Sequence, residues 1–423
     1  MSEHLIGLLL GMEEDWSSTF EELVRRLDLK IEHGGETHTF RTERVTIEPF
    51  RLRAVPRYDL VIDRLAHWYY VPREWLKKVA MMDGVYLLNN PFTFQAMEKH
   101  AAYCAMMRLG LHVPETWLLP HKHPPQDSRF AYTAARYNQA FDLEEIAQQV
   151  GFPLYMKPYD GGAWVGVTRI DDADELLEAY DDSGQRLMHL QAAVDFDVFV
   201  RTLSIGAETM TMHFDPSQPN HARYLVDHDF LSPGVGQEVR TIGRIVNAFF
   251  RWEFNSCETL VTDGLVQPID YANACPDVSI TSLHYYFPWA MKTLLKWSVF
   301  CAATSRNMRI NLDPDRWFQI ADDQDLDEGD KLAAYHRLTD EYFEQDAYDA
   351  FCAEHLGHVD EAMVDLVRSD WFDGLVVDTV KGTFPAHEHD HFVEHYRGLL
   401  RAWADDQHRP RPVPGAASGH GRA

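Results

Sequence analysis

Residues 258–273 read ETLVTDGLVQPIDYAN, and this stretch decides how the rest of the chain is read. Asp263-Gly264 is a strong signal for a tight hairpin, because the turn needs positive φ angles that Asp and Gly tolerate. Counting outward from Gly264 puts Glu258 and Asp270 at equal offsets on the two strands. Equal offsets place side chains side by side, roughly 5 Å apart between Cβ atoms. Two carboxylates at that spacing repel, so a cation should share the site. Magnesium takes oxygen ligands and bridges one or two carboxylates to phosphate oxygens. Asn273 adds an amide oxygen just past the strand. Taken alone, the same pattern also fits a solvated hairpin with two surface acids.

Working outward, residues 152–158 (FPLYMKP) form an apolar strand that carries Lys157, followed by a glycine-rich loop with Gly161, Gly162 and Gly166 and then a second strand. A strand-end lysine beside such a loop can meet phosphate oxygens while loop amides cover them. Neither the Gly-x-x-x-x-Gly-Lys-Ser/Thr loop nor the Gly-x-Gly-x-x-Gly turn is present. Further upstream, Phe94–Leu109 has helical spacing, carries Lys99, and meets a C-cap glycine at Gly110. Leu187–Leu190 is an apolar run ending at Gln191, and Asp195, Asp197 and Arg201 follow. Each of these signals has an ordinary structural reading when taken singly.

Together and in this order they resemble the ATP-grasp superfamily, over roughly residues 1–310. Lys99 with Gly110-Leu111-His112-Val113-Pro114 matches the helix that carries the first ATP lysine. Lys157-Pro158 and the glycines match the second lysine and its loop, and His189-Leu190-Gln191 matches the adenine-hinge strand. Glu258 matches the first metal acid. Asp270-Tyr271-Ala272-Asn273 answers the final Glu-x-Asn, with Asp for Glu and one extra residue. Phe199-Val200-Arg201 stands where an acid two residues before the arginine is usual. A narrower resemblance, to bacterial ATP-grasp chains of unassigned activity, rests on Asn89–Phe92 and Asn273–Asp277.

The resemblance implies an α/β chain with α+β lobes: a pre-ATP-grasp domain at 1–88 and a two-lobed ATP-grasp domain at 89–310. Composition beyond it reads as an acidic, mostly helical C-terminal domain at 311–407 and a disordered tail at 408–423. The resemblance also implies ATP held by Lys99, Lys157, Gly161, Gly162, Gly166, Gln191 and Asp197, and Mg2+ (or Mn2+) held by Glu258, Asp270 and Asn273. Arg201 is expected to hold acylphosphate oxygens. Arg240 is a second candidate, from chain position alone. The implied reaction joins a carboxylate to an amine or another nucleophile. A phosphotransferase without ligation, or a silent nucleotide-binding scaffold, stays open as an alternative.

Composition bounds the rest. A chain of 423 residues suggests two or three domains, and 45% hydrophobic residues supply a sizeable core. The formal net charge of −27 argues against nucleic acid or an anionic membrane as partner. Five scattered cysteines indicate neither a disulfide framework nor a zinc site, and with no signal peptide visible a cytoplasmic setting is expected. A homodimer stays open. His387–His391 reads as a polar loop entering a helix rather than a metal cluster, and Leu375–Val380 reads as a possible late strand.

Overall fold

The computed structural model describes residues 1–93, 99–123, 128–137, 140–160, 162 and 164–408. Three sheets follow one another along the chain. The first contains β1 (Ser2–Leu9), β2 (Lys30–His33), β3 (Glu36–Arg44), β4 (Leu60–Asp63) and β5 (Tyr86–Leu88), in the order β2-β3-β1-β4-β5. Its centre is parallel, with helices α1 (Asp15–Leu27) and α2 (Tyr70–Met82) as crossovers. β1, β4 and β5 are short buried apolar runs, as a sheet covered on both faces requires. β2 and β3 are largely polar, and they turn through Gly34 and Gly35, both at positive φ.

The second sheet is antiparallel, with order β6-β9-β7-β8: β6 (Thr116–Leu119), β7 (Leu154–Pro158), β8 (Thr168–Ile170) and β9 (Met188–Ala192). Before it comes α3 (Lys99–Arg108), and α4 (Ser128–Tyr137), α5 (Leu143–Val150) and α6 (Ala173–Ser183) belong to the same lobe. Asp142 and Asp172 cap the last two helices by accepting backbone N–H bonds. Leu154, Met156, Leu176 and Leu190 form this lobe's own small core.

The third sheet is also antiparallel: β10 (Val198–Ile205), β11 (Glu208–Phe214), β12 (Tyr224–Leu225), β13 (Phe254–Thr262) and β14 (Leu265–Ala274), in the order β12-β11-β10-β13-β14. Strand pleating splits its side chains between two faces. Thr202 and Ser204 meet α7 (Pro233–Phe250), where a Cβ at Gly243 would come 3.1 Å from Thr202 Oγ1. Arg201 and Leu203 face the other way. Gly206, at positive φ, lies so close to the Trp297 ring that a Cβ would overlap it, so only glycine lets α9 (Phe287–Ala303) close on this sheet.

After the short helix α8 (Ile280–Leu283) and α9 come α10 (Pro314–Asp322), α11 (Glu328–Phe343), α12 (Gln345–His355), α13 (Val359–Val367), α14 (Asp370–Thr383) and α15 (His389–Asp406). Leu375–Val380 is therefore helical and not a strand: Phe372, Val376 and Val380 are buried at a four-residue spacing within α14. The extension is not a separate globule. One continuous core runs from Ile6 and Trp16 through Trp252 and Trp297 to Tyr396 and Trp403. The expected tail at 409–423 lies outside the described residues. No described helix is long and apolar enough to cross a membrane.

Candidate functional site

A cavity of about 690 Å³ lies between the second and third sheets, with the C-terminal end of β4 at its margin. The third sheet supplies a row of paired residues on one face. Met212 opposes Arg201, Arg201 opposes Glu258, and Glu258 opposes Asp270. The Glu258–Asp270 pairing arises differently from the simple count. The turn is centred between Asp263 and Gly264, both at positive φ, so Thr262 pairs with Leu265 and Thr259 with Pro268. An irregularity at Ile269 then shifts the register by one and sets Glu258 against Asp270. A second shift sets Ser256 against Asn273. The extra residue in Asp270–Asn273 is thus absorbed in a bulge. Bulges re-aim side chains, and this one returns Asn273 to the cavity wall beside Asp270. Asn273 Nδ2 donates to Ser256 Oγ at 2.9 Å, which orients the amide.

Cations balance these acids. Lys99 Nζ on α3 lies 3.0 Å from Asp270 Oδ2, and Arg201 Nη2 lies 3.6 Å from Glu258 Oε1. The Arg201 guanidinium also stacks over Phe214 and Tyr224. Burial pushes the Glu258 carboxyl up while Arg201 opposes it, and the net shift is upward. Burial would lower Lys99, but Asp270, with Glu258 and Asp160, holds the ammonium above its usual range. From the opposite lobe, Lys157 on β7 donates to Gln191 Oε1 at 2.6 Å, and Gln191 Nε2 donates to Thr116 Oγ1. Burial, helped by neighbouring Lys99 and opposed by Asp270, pulls Lys157 down to about 8. Five cationic side chains and four carboxylates line the cavity, in a chain whose formal net charge is −27.

The structure brings together Lys99, Lys157, Gly162, Gln191, Arg201, Glu258, Asp270 and Asn273 around this one cavity. Gly161 lies outside the described residues. Gly166 is not at the wall. It takes φ 74°, and a Cβ there would meet Arg186 and Pro158, so it shapes the loop base instead. Two other expected residues do not line the cavity. Asp197 is turned away: its carboxylate accepts from Asp263 N and fastens the loop before β10 to the hairpin turn. Arg240 lies on α7, against the sheet face opposite the cavity, and bonds Gln237 one helical turn earlier.

Sequence reasoning missed Arg64 and Arg223, which both line the cavity. Arg64 follows the last residue of β4, at the carboxyl end of a parallel strand, where ligands gather in open α/β sheets. It bonds Cys275 O and Glu13. Arg223 sits in an irregular segment with no periodic signal. Cys257 and Cys275 flank the site but are buried thiols pushed up by desolvation, Cys257 to about 12, so they pack and do not react.

The sequence matches no protein-family model and no curated protein. Solved structures do match. The D-alanine–D-alanine ligase from Bacillus anthracis, complexed with ATP, is 14% identical, with a TM-score of 0.51 over 72% of this chain and 99% of that one. D-alanyl-alanine synthetase A from Vibrio cholerae (12% identity, 72% and 98% of the two chains, TM-score 0.49) overlaps less closely. So does N5-carboxyaminoimidazole ribonucleotide synthetase from Thermus thermophilus (17%, 66% and 73%, TM-score 0.46), and neither adds weight to the first. An α/β opening sheet and two antiparallel lobes that close on a charged cavity define the architecture. The chain has the ATP-grasp fold.

Proposed function

We propose that the protein is an ATP-dependent ligase that joins a carboxylic acid to an amine through an acylphosphate. The observation that supports this best is the Arg201–Glu258–Asp270 row facing Lys99 and Lys157 across one cavity. Two ammonium groups and a guanidinium converge where negative charge would build up on a phosphoryl group in transfer. ATP would lie between the lobes, with Lys99 and Lys157 on its phosphates and Gly162 at the loop that covers them. A carboxylate oxygen of the acid attacks the γ-phosphorus, and ADP leaves. The amine nitrogen then attacks the acyl carbon, and phosphate leaves with one oxygen that began in the acid. Arg201 holds the acylphosphate oxygens. No protein nucleophile is required.

The donor set fits magnesium. Glu258, Asp270 and Asn273 give adjacent hard oxygens, a set that phosphate oxygens and water would complete around one ion. When bound, magnesium would neutralise phosphate charge and polarise the transferring group. Mn2+ would suit the same oxygens.

Hydroxylamine is a small universal amine for testing this reading. Incubation with Mg-ATP, hydroxylamine and a panel of carboxylic acids should yield a hydroxamate from at least one acid, with ADP in equal amount. Asp270→Asn should lower that yield by at least a hundredfold. Hydroxamate formed with AMP, or formed equally well by Asp270→Asn, would contradict the proposal.

A further inference from the structure

The cavity extends well past the carboxylate row. Asp270 lies on β14 at one edge of the third sheet, and Tyr224 on β12 at the other, four strands away. At about 4.8 Å per strand this is a span of about 19 Å. Arg223, next to Tyr224, lines that far end. Its backbone carbonyl accepts from Asp215 N, and its Nε donates to Gln218 O at 2.9 Å.

Arg223 differs from the other arginines of the cavity. Arg64 faces Glu13, and Arg201 faces Glu258. Among the described residues, no carboxylate lies within 4.0 Å of Arg223. Asp277, on the loop entering α8, is already engaged by Ser279 N and Ser282 Oγ. In a chain with 66 acidic residues, a half-buried guanidinium that opens on a cavity with its paired N–H groups uncommitted is set up for an external anion. The planar fork matches a carboxylate or a phosphate with two parallel hydrogen bonds.

The C-terminal extension holds this end in place. His221, two residues before Arg223, packs its ring 4.9 Å from Phe392 and 5.6 Å from His395 of α15. His395 Nε2 lies 3.4 Å from His221 O, and Tyr396 OH donates to Thr281 O on α8. Tyr285 OH donates to Asp406 at the end of α15, while Tyr286 OH donates to Leu225 O on β12. Both walls of the far end, residues 215–225 and α8, therefore rest on one helix.

We propose that the far end is an anion subsite of the second substrate, in which Arg223 binds an anionic group that does not react and α15 positions the wall that presents it. This rests on the ligase reading for the identity of the near end as the phosphate site. The reacting carbonyl or amine and this second anionic group then sit at opposite ends of one elongated substrate, or on the two partners joined.

The test uses the full-length protein saturated with magnesium and a non-hydrolysable ATP analogue. Binding is titrated for pairs that differ by one anionic group: succinate against succinamate, glutamate against glutamine, phosphoserine against serine. At least one charged member should bind tenfold or more tighter than its twin. Arg223→Gln should erase that ratio while the affinity for the nucleotide stays unchanged, which also shows that the variant is folded. The paired change His395→Phe and Tyr396→Phe keeps the aromatic volume and removes both tethers. It should lower the charged-to-neutral ratio at least threefold, again without changing nucleotide affinity, a selectivity that mere loss of stability would not produce. The subsite is overturned if nucleotide binds but no charged member exceeds its twin tenfold, if Arg223→Gln keeps the preference, or if the paired change lowers it less than threefold. A wild-type protein that binds no magnesium nucleotide would sink the ligase reading, and this subsite with it.

Discussion

Lys99 and Lys157 are both buried at the cavity wall, yet their surroundings shift them in opposite directions. Asp270 at 3.0 Å keeps Lys99 charged, whereas burial, with only the uncharged Gln191 as hydrogen-bond partner, brings Lys157 down to about 8. Phosphate binding needs the ammonium form of Lys157. Below pH 8 that form is already present, so affinity for Mg-ATP should be flat. Above pH 8 the bound state must recruit a proton, so affinity should fall, by about tenfold between pH 7 and pH 9. Titration calorimetry across that range checks this, and Lys157→Arg should remove the fall because arginine stays charged throughout. An unchanged pH profile in Lys157→Arg would assign the titration elsewhere. At this scale the sequence was legible where motif and chemistry coincide: Lys99, Lys157, Glu258 and Asp270 converge as the resemblance implied. It was not legible at Arg64 and Arg223, lone arginines in loops where no periodicity tells an exposed side chain from one that lines a cleft. Arg240 lies off the cavity for the converse reason. Chain position alone cannot say which face of a sheet a helix covers.

Hairpins show how far local pattern reaches. Asp263-Gly264 announces the β13–β14 turn, because few other pairs accept two positive φ angles. The register beyond the turn depends on irregularities at Ile269 and near Tyr271, which no local preference marks, so the acid pair could be located but the path to it could not. The β2–β3 hairpin was missed because its strands carry little alternating apolar pattern. In α14 the short run Leu375–Val380 suits a strand or a helix equally, and packing of Phe372, Val376 and Val380 decides for helix. The loop after β7 yields a graded prediction. Gly166 has φ 74°, and a Cβ there would crowd Pro158 and the end of the Arg186 side chain, whereas Gly162 has nothing within 4 Å of where one would stand. Gly166→Ala should cost about 1–3 kcal/mol in thermal or urea unfolding, combining strain and crowding. Gly162→Ala should stay within about 0.5 kcal/mol. Equal effects at the two positions would contradict this account of the loop.

Across the whole molecule, the extension belongs to the body it follows. Phe372 packs on Phe287, and Tyr348 and Phe351 pack on Phe300 of α9. Deleting residues 311–408 should therefore uncover the large apolar face of α1 and α9 and give insoluble protein. Deleting 409–423 should leave the melting temperature unchanged, and solubility assays of the two truncations check both statements. The acidic helices that looked like a separate domain in sequence share one core with β1, because composition reports polarity along the chain and not which faces meet. A carboxylate that attacks the γ-phosphorus of ATP in the cavity between the lobes would carry one of its own oxygens into phosphate. The most direct measurement follows oxygen: the acid giving most hydroxamate is labelled with 18O in its carboxylate, and the products of a full turnover are read by 31P NMR. One labelled oxygen should appear in inorganic phosphate and none in ADP. Label in AMP, or unlabelled phosphate alongside product, would contradict it.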